Sequence, residues 1–191
     1  VCPLKELIKS KKPKLITWWL SSASFLHWKS KDLICLKSNN SFNKLEEGWF
    51  GYSDKDIELS MNNSLVRITS EQEFGSGTEV ILSNYIQHKY DVIEANATFE
   101  YTDSLQGEVL LVFDVFNENG NLVWRAGNSI DFLKSNSRKQ SIYLALDFNV
   151  IEATKNEKIV LKSYIWNKDK LNLTIDDFTI NIREGNRTKY A

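Results

Sequence analysis

Val92-Ile93-Glu94-Ala95-Asn96-Ala97-Thr98-Phe99-Glu100-Tyr101 decides the fold. Ile93, Ala95, Ala97, Phe99 and Tyr101 alternate with Glu94, Asn96, Thr98 and Glu100. A period of two puts the apolar set on one side of an extended chain and the polar set on the other. The stretch therefore reads as a strand with one buried and one wet face.

Working outward, Glu108–Phe116 is nearly continuous in apolar residues and reads as a strand covered on both sides. Asn117-Glu118-Asn119-Gly120-Asn121 follows, and Asn-Gly accepts the positive φ of a tight hairpin. The returning strand is Leu122–Ala126. Ser141–Phe148 and Lys158–Trp166 alternate again. Leu171–Ile182 changes apolar phase from odd to even positions at Asp176-Asp177, as a one-residue β-bulge would cause. On the N-terminal side, Ile57–Met61, Leu65–Thr69 and Thr78–Ile86 read as further strands. Asn62-Asn63 reads as a turn, and Glu71–Gly77 as a loop because of Gly75 and Gly77. Nine or ten short strands with turn residues between them predict an all-β, antiparallel β-sandwich over residues 41–184. The two prolines, Pro3 and Pro13, interrupt none of them.

The 191 residues, 42% hydrophobic and 26% charged, are enough for one cored domain with an appendage. The formal net charge of −1 excludes a dedicated nucleic-acid binder, which would be basic. Charge is nevertheless segregated. Residues 1–40 carry eight lysines against Glu6 and Asp32, a net +6, which leaves −7 for the rest. A short helix at Leu4–Lys9 must end before Pro13. Leu15–Leu20 and Ser21–Trp28 are aromatic and apolar but broken by serines. They read as strands packed on the main domain, as a Trp- and Lys-bearing segment at a membrane–water boundary, or as a protein-docking element. Residues 1–40 are thus an irregular or partly helical extension that could dock on a membrane surface or protein partner, and 185–191 a tail. Cys2 and Cys35 could pair or both be free. The start at Val1 and the absence of a signal-peptide pattern suggest a processed product or a piece of a larger protein.

No HExxH, Cys–His metal spacing, Gly-x-Ser-x-Gly elbow or phosphate-binding glycine loop is present, and His27 and His88 sit in dissimilar settings. The expectation is a non-catalytic protein, with a polysaccharide-cleaving enzyme as a remote alternative. The Asn-x-Ser/Thr sequons carry no weight in so Asn-rich a chain.

Leu161-Lys162-Ser163-Tyr164-Ile165-Trp166-Asn167, followed by Thr174-Ile175-Asp176-Asp177-Phe178-Thr179-Ile180, resembles the closing strands of galactose-binding-like jelly rolls, including xylan- and glucan-type carbohydrate-binding modules. Phe42-Asn43-Lys44-Leu45-Glu46-Glu47-Gly48-Trp49 is similar to that family's opening, although Leu45 stands where the family often has Phe. The resemblance covers residues 41–184. It implies glycan binding, an extracytoplasmic setting (periplasmic, cell-surface or secreted) and a structural calcium, while the Lys, Asn and Ile richness of the chain points to an AT-rich bacterial genome. The matching positions for that ion are Glu46 with Asp176 or Asp177, whose oxygens suit a hard cation.

A sugar-binding surface needs flat rings for pyranose faces and polar groups for hydroxyls. Alternation places Tyr143 and Asp147 on the non-core side of one strand, and Tyr164 and Trp166, with Lys162, on that of another. Trp124 and Arg125 point to opposite faces. If the strands are neighbours, Tyr143, Tyr164, Trp166 and one of Trp124 or Arg125 make a stacking platform. Tyr52, Phe74 and Tyr85 are further aromatic candidates, while Trp49 and Trp166 read first as core-packing residues.

Overall fold

The computed structural model describes residues 34–40, 48–59, 64–100, 107–131, 139–151 and 158–185. Eleven strands lie in these residues: β1 (Ile34–Asn40), β2 (Trp49–Phe50), β3 (Ile57–Leu59), β4 (Ser64–Ile68), β5 (Phe74–Ile81), β6 (Val92–Glu100), β7 (Glu108–Phe116), β8 (Leu122–Asp131), β9 (Lys139–Asp147), β10 (Val160–Trp166) and β11 (Leu173–Arg183). One sheet runs β3-β4-β11-β6-β9, with β1 also paired to β11; the other runs β2-β5-β10-β7-β8. Every pairing is antiparallel. The fold is the all-β antiparallel sandwich that the sequence pattern predicts, of the jelly-roll type that the resemblance implies.

The alternation explains the core. Ile93, Ala95, Ala97 and Phe99 of β6 and Phe178, Ile180 and Ile182 of β11 face inward from the six-stranded sheet. Val109, Leu111, Phe113 and Val115 of β7 and Leu161 and Ile165 of β10 meet them from the other sheet. The Val, Leu, Ile and Phe side chains among them are each worth about 1.5–3 kcal/mol when removed from water. The phase change in β11 is a register shift between Ile175 and Asp177. The hairpin also forms as read: the Asn117 side chain accepts the Asn119 and Asn121 amides at 3.1 and 3.0 Å, and Gly120 has φ 76°.

Four expectations need correction. The sandwich begins earlier than residue 41, because Ile34–Asn40 is a strand on β11 with Leu36 packed on the core. Gly75 and Gly77 lie within β5 instead of a loop. A Cβ on Gly75 would come within 2.4 Å of Ile68 Cδ1, and one on Gly77 within 2.6 Å of Ser163 O and Tyr164 Cβ. They are glycines because neighbouring strands press on them, a use that local turn propensity does not reveal. β8 continues to Asp131, beyond Ala126. Finally, the polar side of β6 is not simply wet, since Glu94 and Thr98 are buried. The extension at 1–33, with its membrane- or partner-docking role, Cys2, the turn at Asn62-Asn63, Glu46 and the tail from residue 186 lie outside the described residues.

Candidate functional site

The inward set of β7 leaves Leu110, Val112, Asp114 and Phe116 pointing outward, and that of β10 leaves Val160, Lys162, Tyr164 and Trp166 outward. Register fixes their rows. Tyr164 lies opposite Val112 on one side and Gly77 on the other, and Val112 lies opposite Gly127. Lys162 stands between Glu79 and Asp114, and Asp114 opposite Arg125.

Four rings gather at one end of this outer face. Phe74 meets Tyr164 edge-on at 5.8 Å between centroids and stacks with Trp166 at 6.4 Å and 27°. The Phe50 ring overlies Gly77, whose missing Cβ makes room for it. Phe74 is 54% exposed and Phe50 38%, an unfavourable state for large rings on a free surface. Trp166 Nε1 is buried with no hydrogen-bond partner among the described residues.

Beside the rings, Asp114 is only 4% exposed and organises the polar groups. Arg125 donates to it in fork geometry, Nε to Oδ1 at 2.5 Å and Nη2 to Oδ2 at 2.7 Å, and the Tyr164 hydroxyl donates to Oδ2 at 3.0 Å. Burial, and then that bond to Asp114, push the Tyr164 phenol up to about 12, so it remains a neutral donor. The Asp114 hydrogen bond raises the already high Arg125 value further, against a smaller opposing effect of burial. Lys162 pairs with Glu79 at 3.3 Å and lies 5.5 Å from the Phe116 ring centroid. An open depression of about 280 Å³ is lined by Lys162 and Phe116 and by the turn at Asn117 and Gly120.

The predicted platform is therefore divided. Tyr164, Trp166 and Arg125 share the outer face of the five-stranded sheet, but Tyr143 and Asp147 belong to β9, in the other sheet. The outward side of β9 faces away from that of β10, so Tyr143 and Asp147 cannot join the cluster. Trp124 packs on the core, leaving Arg125 as the outward member of that pair. Trp49 is also internal, edge-on to Phe178 at 5.2 Å with its Nε1 donating to Ser38 Oγ at 3.3 Å. Tyr52 and Tyr85 pack on the core; of those three further candidates, Phe74 belongs to the face.

Sequence reasoning missed Asp114, Phe50 and Gly77. A signal for Asp114 existed, because a carboxylate inside the apolar run of β7 needs a partner, and the hairpin carries Arg125 back toward it.

Tyr143 instead donates to Glu94 Oε1 at 2.8 Å, where Arg183 Nε also donates at 3.0 Å. Burial, then the Glu94 bond, raise its phenol well above the usual tyrosine value. For the predicted calcium set, Glu46 is outside the described residues. Asp176 is ion-paired with Lys139. Asp177 has a buried Oδ1 without a partner among the described residues, and burial and then the neighbouring Asp176 raise its pKa. No group of three His, Cys, Asp or Glu side chains able to hold a metal occurs among the described residues. Calcium asks for six to eight oxygens, so these residues do not by themselves make its site.

No protein-family model matches the chain, and no curated protein matches it. Among solved structures it is similar to the CBM22-1 xylan-binding domain from Paenibacillus barcinonensis Xyn10C, at TM-score 0.48 and 16% identity over 80% of this chain and 96% of that one. The CBM22-2 xylan-binding domain of the same protein gives 0.46 and 14%, over 77% and 98%. The xylan-binding module CBM15 gives 0.44 and 10%, over 78% and 98%. These three are carbohydrate-binding modules. Their identity to this chain is too low for a ligand to be carried across.

Proposed function

We propose that the outer face of the β2-β5-β10-β7-β8 sheet binds a glycan, and that the protein is an extracytoplasmic carbohydrate-binding module. One observation carries this: partly exposed rings (Phe50, Phe74, Tyr164, Trp166) adjoin a guanidinium held in place by a buried carboxylate. Sugar rings present an apolar face that aromatic rings cover, and equatorial hydroxyls that fixed donors and acceptors satisfy. Each such contact is weak, and a face several residues wide gains affinity by repeating it along a polymer.

The Phe74 and Trp166 rings supply stacking area. Arg125 and Tyr164 supply oriented polar atoms beside it. Lys162 and Glu79 extend the polar rim toward the depression near Phe116. Binding needs no chemical step, and no residue of the face is assigned one.

Affinity gel electrophoresis of the full chain against arabinoxylan, mixed-linkage β-glucan and galactomannan tests the reading. Retardation by at least one polymer, reduced by Phe74→Ala, Tyr164→Ala and Trp166→Ala, is expected. Free migration in all three gels, or retardation indifferent to the three substitutions, would remove it.

A further inference from the structure

Gly127 sits in the middle of β8, exposed, on the same outer face. Glycine weakens a strand interior, so its presence there calls for a reason. The other two glycines within strands have one: a Cβ at Gly75 or Gly77 would overlap atoms of neighbouring strands. Gly127 has neither excuse. Its φ is outside the positive range, and an added Cβ would meet Leu111 O at 3.4 Å and Leu110 Cδ2 and Val112 Cγ2 at 3.7 Å, ordinary contacts. The protein itself would accommodate a side chain at this position.

That position is next to the polar half of the proposed site. Gly127 lies opposite Val112, which lies opposite Tyr164. Its outward neighbours along β8 are Arg125 and Ser129, about 13 Å apart at the strand rise. Arg125, with its side chain 55% exposed, is tied to Asp114 on the same side. On this edge strand the backbone is therefore bare between a fixed guanidinium and a serine.

We infer that Gly127 is a specificity-determining residue whose missing side chain admits one sugar ring of the bound glycan against the β8 backbone. This rests on the glycan-binding reading above and deepens it. A ring seated there presents hydroxyls to Arg125 on one side and to Ser129 on the other. A side chain at 127 would occupy that volume without disturbing the sheet.

The experiment compares the full chain with Gly127→Ala and Gly127→Val, measuring melting temperature and affinity electrophoresis in arabinoxylan, mixed-linkage β-glucan and galactomannan. The expected result is a melting temperature equal to or above that of the unsubstituted chain in both variants. The dissociation constant for the polymer it binds should rise modestly with Ala and at least tenfold with Val. Equal affinity in all three proteins overturns the inference while leaving the glycan-binding reading intact. A lowered melting temperature in both variants also overturns it, because Gly127 would then be needed by the fold. An unsubstituted chain that binds none of the polymers overturns both.

Discussion

Replacing Asp114 by Asn tests whether the polar half of the face is pre-organised. Asn keeps the size but loses the charge and one acceptor, while three donated hydrogen bonds converge on the native carboxylate. Bonds to a charged group are worth about 1.5–3 kcal/mol each when sheltered. The Arg125 side chain is 55% exposed and can rehydrate, so its pair falls to the surface range of about 0–1 kcal/mol. Adding about 1.5 kcal/mol for the Tyr164 bond gives a loss near 2 kcal/mol. At about 2–4 °C per kcal/mol for a domain of this size, the melting temperature should drop by roughly 4–8 °C. Binding suffers separately. Two released side chains must be re-ordered, at about 0.5–1.5 kcal/mol each, so affinity should fall roughly 5- to 150-fold. Calorimetric melts and affinity gels on one preparation give both numbers. Absorbance titration should show the Tyr164 phenol ionising below its native value of about 12, since the charge that opposes ionisation is gone. A lower melting temperature with unchanged affinity would refute the reasoning, because Asp114 would then serve the fold alone.

Three further outcomes follow from local geometry. Asn167 is fully buried; its amide donates to the carbonyls of Thr69, Gln72 and Leu171, and its Oδ1 accepts the Leu171 amide. Asn167→Ala should therefore cost about 2–4 kcal/mol by denaturant unfolding, and a loss under about 1 kcal/mol would contradict that role. Gly75→Ala should destabilise the domain and lower its thermal midpoint, because its Cβ would strike Ile68 Cδ1; an unchanged midpoint would show that the contact yields freely. Asp177 has a folded pKa raised by burial and by Asp176, so the folded state binds the proton more tightly than the unfolded one. Stability should fall as pH rises from the ordinary Asp value of about 3.9 through the raised value, then level off. Asp177→Asn should flatten that slope and raise the melting temperature at pH 7, with no gain below the ordinary value. The opposite sign at pH 7, with a melting temperature lowered by EDTA, would instead establish a calcium ion on Asp177.

The parts of the fold legible in the sequence are those set by neighbours along the chain. The alternation of β6, the apolar run of β7, the Asn117–Asn121 hairpin and the bulge before Asp177 all arise from contacts or dihedrals a few residues apart. Gly75 and Gly77 were illegible because the atoms that exclude their side chains belong to Ile68, Ser163 and Tyr164, most of them distant in sequence. The division of the predicted platform has the same origin. Alternation says that Tyr143 and Tyr164 both leave the core, but the sheet that each strand joins depends on long-range pairing: β9 adds to β6, and β10 inserts between β5 and β7. Tyr143 therefore lies on the other sheet, while Tyr164, Trp166 and Arg125 share one face.

The two outer faces differ in what their polar groups are doing, and this difference favours the five-stranded face for the proposed binding. On the six-stranded sheet, Glu94 accepts from Tyr143 and Arg183, Thr98 and Ser141 share a hydrogen bond at 2.9 Å, and Lys139 reaches both Glu100 and Asp176. A ligand arriving there would compete with charged and partly buried bonds, and breaking one side of such a pair leaves the other uncompensated. On the five-stranded sheet the groups next to solvent include the Phe50 and Phe74 rings, whose exposure is unfavourable in water, Arg125, whose attachment to Asp114 leaves more than half its surface open, and the Lys162–Glu79 pair, which is exposed enough for water to replace either partner. Covering those rings releases water from apolar surface, and a hydroxyl meeting Arg125 displaces water from a guanidinium that is already oriented. Binding thus removes an unfavourable state on the second face and would have to create one on the first.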